Sequence, residues 1–497
     1  MIVRTFIRRL LANPSIRGHH CLSCLQRQQH HHSLHEGNSS GGSCLVSDQR
    51  ITKAEVHRKI PDKQFRPLFD ELVAGPDLRF LDTLFARNGY QLRIAGGAVR
   101  DLLCGQRPVD VDLATDATPD QMKDMIRDRT NIWALNTSSG ARNGTIMARV
   151  NDRTNYEITA LRKWTDERPG LPVFVTDWSV DAAHRDLTIN AMYLDFTGCL
   201  YDYFDGVGHL RRRAICFVGD GTGLSAIRQN PITIMRYMRF HCRYGGHGCG
   251  HDSRAITTIR EQRHLLRSVD SQTLWSELKK LLSVNGCVGV VDLMLGDLQM
   301  GEYFGLSDQS LPADSTLERL REFRAVHDRL SSAVASGRLR GWDGLTLLAA
   351  LVLKDWELPS AGADMSVRLS LSNTEKRVLA FVVHNRRTFA QTSAQEWRRR
   401  IVLATKDQQQ LLRRQVLDCA LYCGHWEVYD QIKRLVVPDF PPTGHLFAAI
   451  GRPVPNRAAL KGVLNELKLF WADSDFQCTD DDLKTHLESV LRDIDKK

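Results

Sequence analysis

The segment Leu92–Ala117, LRIAGGAVRDLLCGQRPVDVDLATDA, constrains the chain more than any other. Arg93-Ile94-Ala95 reads as a strand that runs into the pair Gly96-Gly97, and Ala98–Leu103 continues as a short helix. Paired glycines let backbone N–H groups approach a ligand closely, and a helix N-terminus adds partial positive charge, so the turn is a candidate phosphate seat. Asp110-Val111-Asp112 predicts a second strand, on which residues two apart share a face. Two acids on one face repel each other unless a cation lies between them. Oxygen donors of this kind suit Mg²⁺, which takes triphosphate oxygens among its other ligands. Taken singly, a GG turn is only a turn and a DxD only a solvated strand end; their order and spacing carry the information.

At 497 residues the chain has room for two or more domains with sizeable cores. A net charge of +9 favours a polyanionic partner without naming one. The longest apolar run, Gly344–Leu353, is about half a membrane span, so no membrane partner is expected. The twelve cysteines are scattered and read as reduced thiols. Residues 1–48 differ from the rest: Arg4, Arg8, Arg9, Arg17 and Arg27 precede the first acid, Glu36, and MIVRTFIRRLLA is amphipathic if helical. That composition predicts a mitochondrial transit peptide, hence a mitochondrial protein; a cytosolic or nuclear form lacking it stays open. Cys21-x-x-Cys24 and His30-His31-His32 lack a second spaced pair to complete a zinc site.

Residues 65–195 alternate helical and strand patterns. Pro67–Asn88 predicts one helix, Thr118-Pro119-Asp120 caps another through Ile126, and Gly144–Val150 with Tyr156–Leu161 predicts a hairpin. Glu157 and Thr159 would share the face opposite Tyr156 and Ile158. The stretch GG-x-V-R-D followed by D-V-D-x-A-T resembles motif A of the class II CCA-adding tRNA nucleotidyltransferases and related bacterial poly(A) polymerases. The resemblance continues in Trp164–Gly170 (a flexible loop in the family), in Arg185-Asp186-Leu-Thr188-Ile-Asn190 (motif B, with His184 where an Arg is usual) and in Leu200–Gly206 (motif C). It implies a mixed α/β nucleotidyltransferase head followed by all-α neck (196–270), body (271–385) and tail (386–497).

The same resemblance implies the roles. Asp110 and Asp112 would hold Mg²⁺, with Glu157 as the third catalytic carboxylate. Gly96, Gly97, Arg100 and Asp101 would hold the triphosphate, and Arg185, Asp186 and Asn190 the ribose. The reaction would be addition of CMP and AMP, from CTP and ATP, to a tRNA 3′ end. Arg236, Arg239 and Arg243, spaced to line one helical face, are candidate tRNA contacts, as are Arg398 and Arg399 beside Trp397. The sequence leaves a homodimer open. Near the end, Phe440–Leu446 resembles the F-P-x-S-G-H element of the family's tail.

The match breaks in the neck. Where the family carries E-D-x-x-R, this chain has Gln229-Asn230-Pro231-Ile232-Thr233, and Gln272-Thr273 replaces the charged pair of motif E ahead of Glu277-Leu278. In the family the Asp and Arg of the first motif read the base edge. Asn230 could still pair with C or A, its amide oxygen accepting and its NH₂ donating; turned by half a turn, it fits U or G. Losing the charged contact predicts weaker base discrimination, an A-adding or relaxed 3′-end extender, or at the limit a tRNA-binding pseudoenzyme.

Overall fold

The computed structural model describes residues 57–59, 65–127, 129–135, 143–165, 170–245, 250–306, 315–352, 362–441, 443–452, 455 and 457–495. The predicted transit peptide and residues 166–169 of the loop after Trp164 lie outside the described residues. The first elements are β1 (His57–Lys59), α1 (Phe65–Val73), α2 (Pro76–Arg87), β2 (Leu92–Ala95) and α3 (Gly97–Leu103). Next come β3 (Leu113–Thr115), α4 (Pro119–Ile126), β4 (Ile132–Leu135), β5 (Thr145–Val150), β6 (Thr154–Ala160), β7 (Arg162–Lys163) and β8 (Val173–Phe174). The head closes with α5 (Trp178–Ala183), a 3₁₀ turn Thr188–Asn190, β9 (Met192–Leu194) and β10 (Cys199–Asp202).

Eight strands form one sheet in the order β1-β10-β9-β2-β3-β6-β5-β4, and β3–β6 is its one parallel pair. Strand alternation decides what each face becomes. Ile94, Leu113, Ile146, Ile158 and Leu194 point to one side, where they pack with Phe69, Phe85, Val99 and Met122 of the helices. Ala95, Ala114 and Tyr193 point to the other, beside Trp178 and Ala182. That second face carries the site.

Two expectations need correcting. The helix across 67–88 is two, because Gly75-Pro76 breaks it and Pro76 starts α2, where a missing N–H costs nothing. The Asp110-Val111-Asp112 segment precedes β3, which begins at Leu113, although the Ala95 N–H donates to the Asp112 carbonyl (2.9 Å) and keeps the approach extended. In the neck, after α6 (Gly206–Arg211), Pro231 separates α7 (Leu224–Gln229) from α8 (Thr233–Tyr244). Elsewhere local chemistry acts as read: Thr118 and Gln121 form a reciprocal capping box on α4.

Beyond the head the described chain is helical, including α9 (Ser253–Gln262) and α10 (Ser271–Leu282). Its core runs without interruption from Leu187 to Leu435, and a separate cluster from Leu446 to Leu491 forms around Trp471. Among the described residues no helix is long and apolar enough to cross a membrane.

Candidate nucleotidyl-transfer site

Parallel pairing of β3 with β6 aligns Leu113 with Ile158, so one residue earlier Asp112 lies level with Glu157 on the open face. Sequence alternation could place Glu157 on a face; only this register brings it to the acid pair. Burial pushes the Asp112 carboxyl above the usual carboxylate range, and Asp110 adds repulsion against the pull of Arg185. Glu157 is raised for the same reasons, by burial and then by Asp112 and Asp110, with Arg162 opposing. The three acids therefore feel one another's charge. Among the described residues no group of three or more His, Cys, Asp or Glu side chains closes into a ready-made metal cage. Hard carboxylate oxygens under mutual repulsion, with room left between them, fit Mg²⁺, which uses few protein ligands and completes its shell with water and phosphate.

The turn after β2 needs glycine for two reasons. Gly96 has φ +59°, and a Cβ there would lie 3.1 Å from Arg185 Nη1. Arg185 is fixed in turn. Its Nε donates to Asp181 Oδ2 and to the Tyr193 hydroxyl, both at 3.1 Å, and its Nη1 donates to the Asn190 carbonyl (3.2 Å). Burial opposes its charge, but Tyr193 and Asp181 outweigh burial and raise its pKa. Asp181 also accepts from the Arg162 backbone N–H (2.9 Å), so one buried carboxylate ties the Arg185 side chain to the start of β7.

Arg100 does not project freely toward a phosphate. It is 6% exposed. Its Nη1 donates to Asn190 Oδ1 (2.6 Å) and its Nε and Nη2 to Asp101 Oδ1 (3.0 and 2.9 Å). Its guanidinium faces the rings of Phe240 and Tyr244 on α8, each at 4.8 Å. Tyr244 donates to Asp101 Oδ1 as well (2.8 Å), and burial pushes its phenol up to about 12, so it stays a donor. From Asn190 the chain of contacts continues through Asp186 Oδ1 (3.3 Å) to Arg236 on α8, which donates to Asp186 Oδ2 (3.1 Å). Helix α8 thus grips the glycine turn and motif B at two points eight residues, or about 12 Å, apart. Sequence periodicity shows nothing of this grip, and Tyr244 carried no signal. Tyr244→Phe keeps the ring but takes one of three donors from Asp101. We expect it to raise KM for nucleotide by about 3- to 10-fold, the worth of one ordinary hydrogen bond, since Arg100 still holds Asp101, with KM for RNA unchanged; steady-state kinetics with each substrate varied checks it.

The cationic faces also find partners within the chain. Arg236 is paired with Asp186, and Arg239 lies over Phe240 (4.1 Å) with its Nε donating to Glu277 Oε2 of α10 (2.6 Å). Arg243 alone of the three makes no carboxylate pair among the described residues and rests over Tyr244 (5.1 Å). Arg398 pairs with Asp475 and Arg399 with Asp473 (2.7 Å), holding the helix Ala394–Leu403 to the last residue of the helix Arg457–Asp473 and the turn after it. These cations are engaged within the chain, a partner choice that spacing along a helix cannot reveal. Asn230 sits exposed at the end of α7, its backbone spent on Ala226 and Thr233, while Thr233 is buried.

Comparison with known proteins follows the same lines. Residues 92–216 match the family described as the Poly A polymerase head domain. The zebrafish protein named "CCA tRNA nucleotidyltransferase 1, mitochondrial" is 33% identical over 440 residues, covering 88% of this chain and 94% of the relative. Its human counterpart is 32% identical, covering 87% and 93%. In fold, the chain is similar to the CCA-adding enzyme of Bacillus stearothermophilus in complex with CTP (TM-score 0.57, 19% identity, 86% of this chain and 99% of that one). The Thermotoga maritima enzyme complexed with tRNA superposes with TM-score 0.53 at 16% identity, covering 88% and 97%.

Proposed function

Because the chain belongs to the CCA tRNA nucleotidyltransferase family, we propose that it adds CMP and AMP, from CTP and ATP, to the 3′-OH of tRNA. The observation that carries this reading is the register that sets Glu157 level with Asp112 beside Asp110. Asp110, Asp112 and Glu157 would hold Mg²⁺. Bound there, the metal supplies a Lewis acid that lowers the pKa of the 3′-OH and neutralises charge on the triphosphate.

The protein's own groups do the rest. Gly96 and Gly97 let the triphosphate approach the backbone. Arg185, locked by Asp181 and Tyr193, presents a fixed positive charge at the same turn. Asn190 and Asp186 would read the ribose hydroxyls, while Arg100 holds Asn190 and Asp101 in place from beneath. The Arg-rich start of the sequence and the mitochondrial relatives support a mitochondrial location. The head, neck, body and tail ranges read from the sequence remain our division of the chain.

One observation favours a second reading, altered base choice. An exposed neutral Asn230 and a buried Thr233 stand where the family carries a charged pair. A lost bidentate contact costs roughly 1–3 kcal/mol of discrimination, or about 10- to 100-fold. The test uses protein from residue 49 onward and a tRNA ending before CCA, with each NTP singly and then CTP plus ATP. Ordered C, C, A addition with strong rejection of U and G supports the CCA reading and rejects the relaxed one. Mixed or single-base tails support altered base choice and reject strict CCA addition. No extension despite tRNA binding leaves a pseudoenzyme.

A further inference from the structure

The open face of the sheet does not end at Glu157. Registers on either side put Asp112, Glu157, Met147 and Leu135 in one row across β3, β6, β5 and β4. The next row holds Asn155, Arg149 and Trp133. Trp133 is 41% exposed and Leu135 39% exposed, on an edge strand whose other residues, Ile132 and Ala134, turn the opposite way. An indole, an isobutyl group and the half-buried Met147 thus form an apolar shelf beginning at the third carboxylate; Arg149, the cross-strand partner of Trp133, turns its guanidinium to Asp152 and Asn155 of its own hairpin.

The order of strands says what such a shelf faces. Gly96 follows β2, and Arg185 and Asn190 precede β9, so the phosphate seat lies on the β2–β9 side of the acids. In a displacement at phosphorus the attacking and leaving oxygens stand roughly in line on opposite sides. Pyrophosphate leaves toward β2 and β9; the attacking 3′-OH must arrive from β6, β5 and β4. Trp133 is two strand spacings across and two residues along from Glu157, roughly 12 Å, within reach of the last few nucleotides of a single strand. Base–aromatic stacking is tolerant of sequence, as a growing end of changing composition requires. Resting on the reading above, the geometry points to the Trp133–Leu135–Met147 shelf as the seat of the single-stranded RNA 3′ end, with a base stacked on Trp133.

The test compares Trp133→Ala with Trp133→Phe and wild type, in tRNA extension and in equilibrium tRNA binding without nucleotide. Trp133→Ala should weaken tRNA by roughly 5- to 100-fold, the loss of one base–aromatic stack, with KM for ATP and CTP and hydrogen exchange of the β5 and β6 amides unchanged. Trp133→Phe should restore most of the loss. Unchanged tRNA affinity in Trp133→Ala overturns the assignment. So does a loss that Trp133→Phe fails to rescue, or a change in oligomeric state, which would mark this edge as a protein interface. If wild type binds tRNA but makes no product, the proposed function fails, while the binding comparison still decides the shelf.

Discussion

Asp112→Asn should lower tRNA extension at saturating nucleotide by about 10³-fold or more, the consequence of losing several kcal/mol of charge stabilisation at the reacting phosphate. tRNA binding should not change, because the substitution is isosteric and lies at the nucleotide end of the site. Stability should hold or rise. Asp112 is solvent-exposed, but the protein packed around its carboxylate and the neighbouring Asp110 both disfavour its charged form against the pull of Arg185, so a neutral amide relieves a cost that the native side chain carries for function. In wild type the same two raised carboxyls, Asp112 and Glu157, must be ionised to work. Activity is therefore lost as pH falls through pKa values above the ordinary range, and more Mg²⁺ should move that acid limb to lower pH, since cation and proton compete for the same oxygens. Single-turnover extension with filter-binding of tRNA measures both halves. An Asp112→Asn protein active to within about 10-fold of wild type would remove the acids from the chemistry altogether.

Much of the head was legible because its signals are local. Thr118 and Gln121 cap α4, alternation sorts Glu157 from Ile158, and the glycine pair marks the turn, each within a few residues of its effect. The break at Gly75-Pro76 was equally local and should have ended the first helix. What stayed hidden depends on partners far along the chain. Asp112 meets Glu157 through a parallel pairing of strands separated by a helix and two further strands, and no spacing rule forecasts which strands will pair. Tyr244 reaches Asp101 across 143 positions, and Trp133 gains meaning only once β4 is known to be the edge on the attacking side. The intrachain partners of the arginines stayed hidden for a related reason: a helical row of cations looks the same whether its counter-charge is RNA or a carboxylate of the same chain.

Arg239 makes that difference measurable. The Arg239–Glu277 pair joins α8 to α10 with only 14% and 9% of the two side chains exposed, and Lys280 lies 3.5 Å from the other carboxylate oxygen. Truncating one partner strands a buried charge, so Arg239→Ala should destabilise the α8–α10 contact by about 3–5 kcal/mol. Removing both charges with Arg239→Met and Glu277→Leu should recover most of that, because the desolvation of both ions disappears with their attraction. In a chain with several cores a single melting curve is a poor readout. Hydrogen exchange of the α8 and α10 amides in the full-length protein reports the contact directly, faster in Arg239→Ala and near wild type in the double variant. The double variant then separates the two roles, since it folds without the guanidinium. If Arg239 is a strut, the salt dependence of tRNA binding stays the same; if it also meets a phosphate, the slope of log K against log salt falls by roughly 0.7–0.9. An unchanged slope together with restored protection confines Arg239 to the interior. Arg243, which pairs with no carboxylate among the described residues, is then the cation of α8 open to RNA.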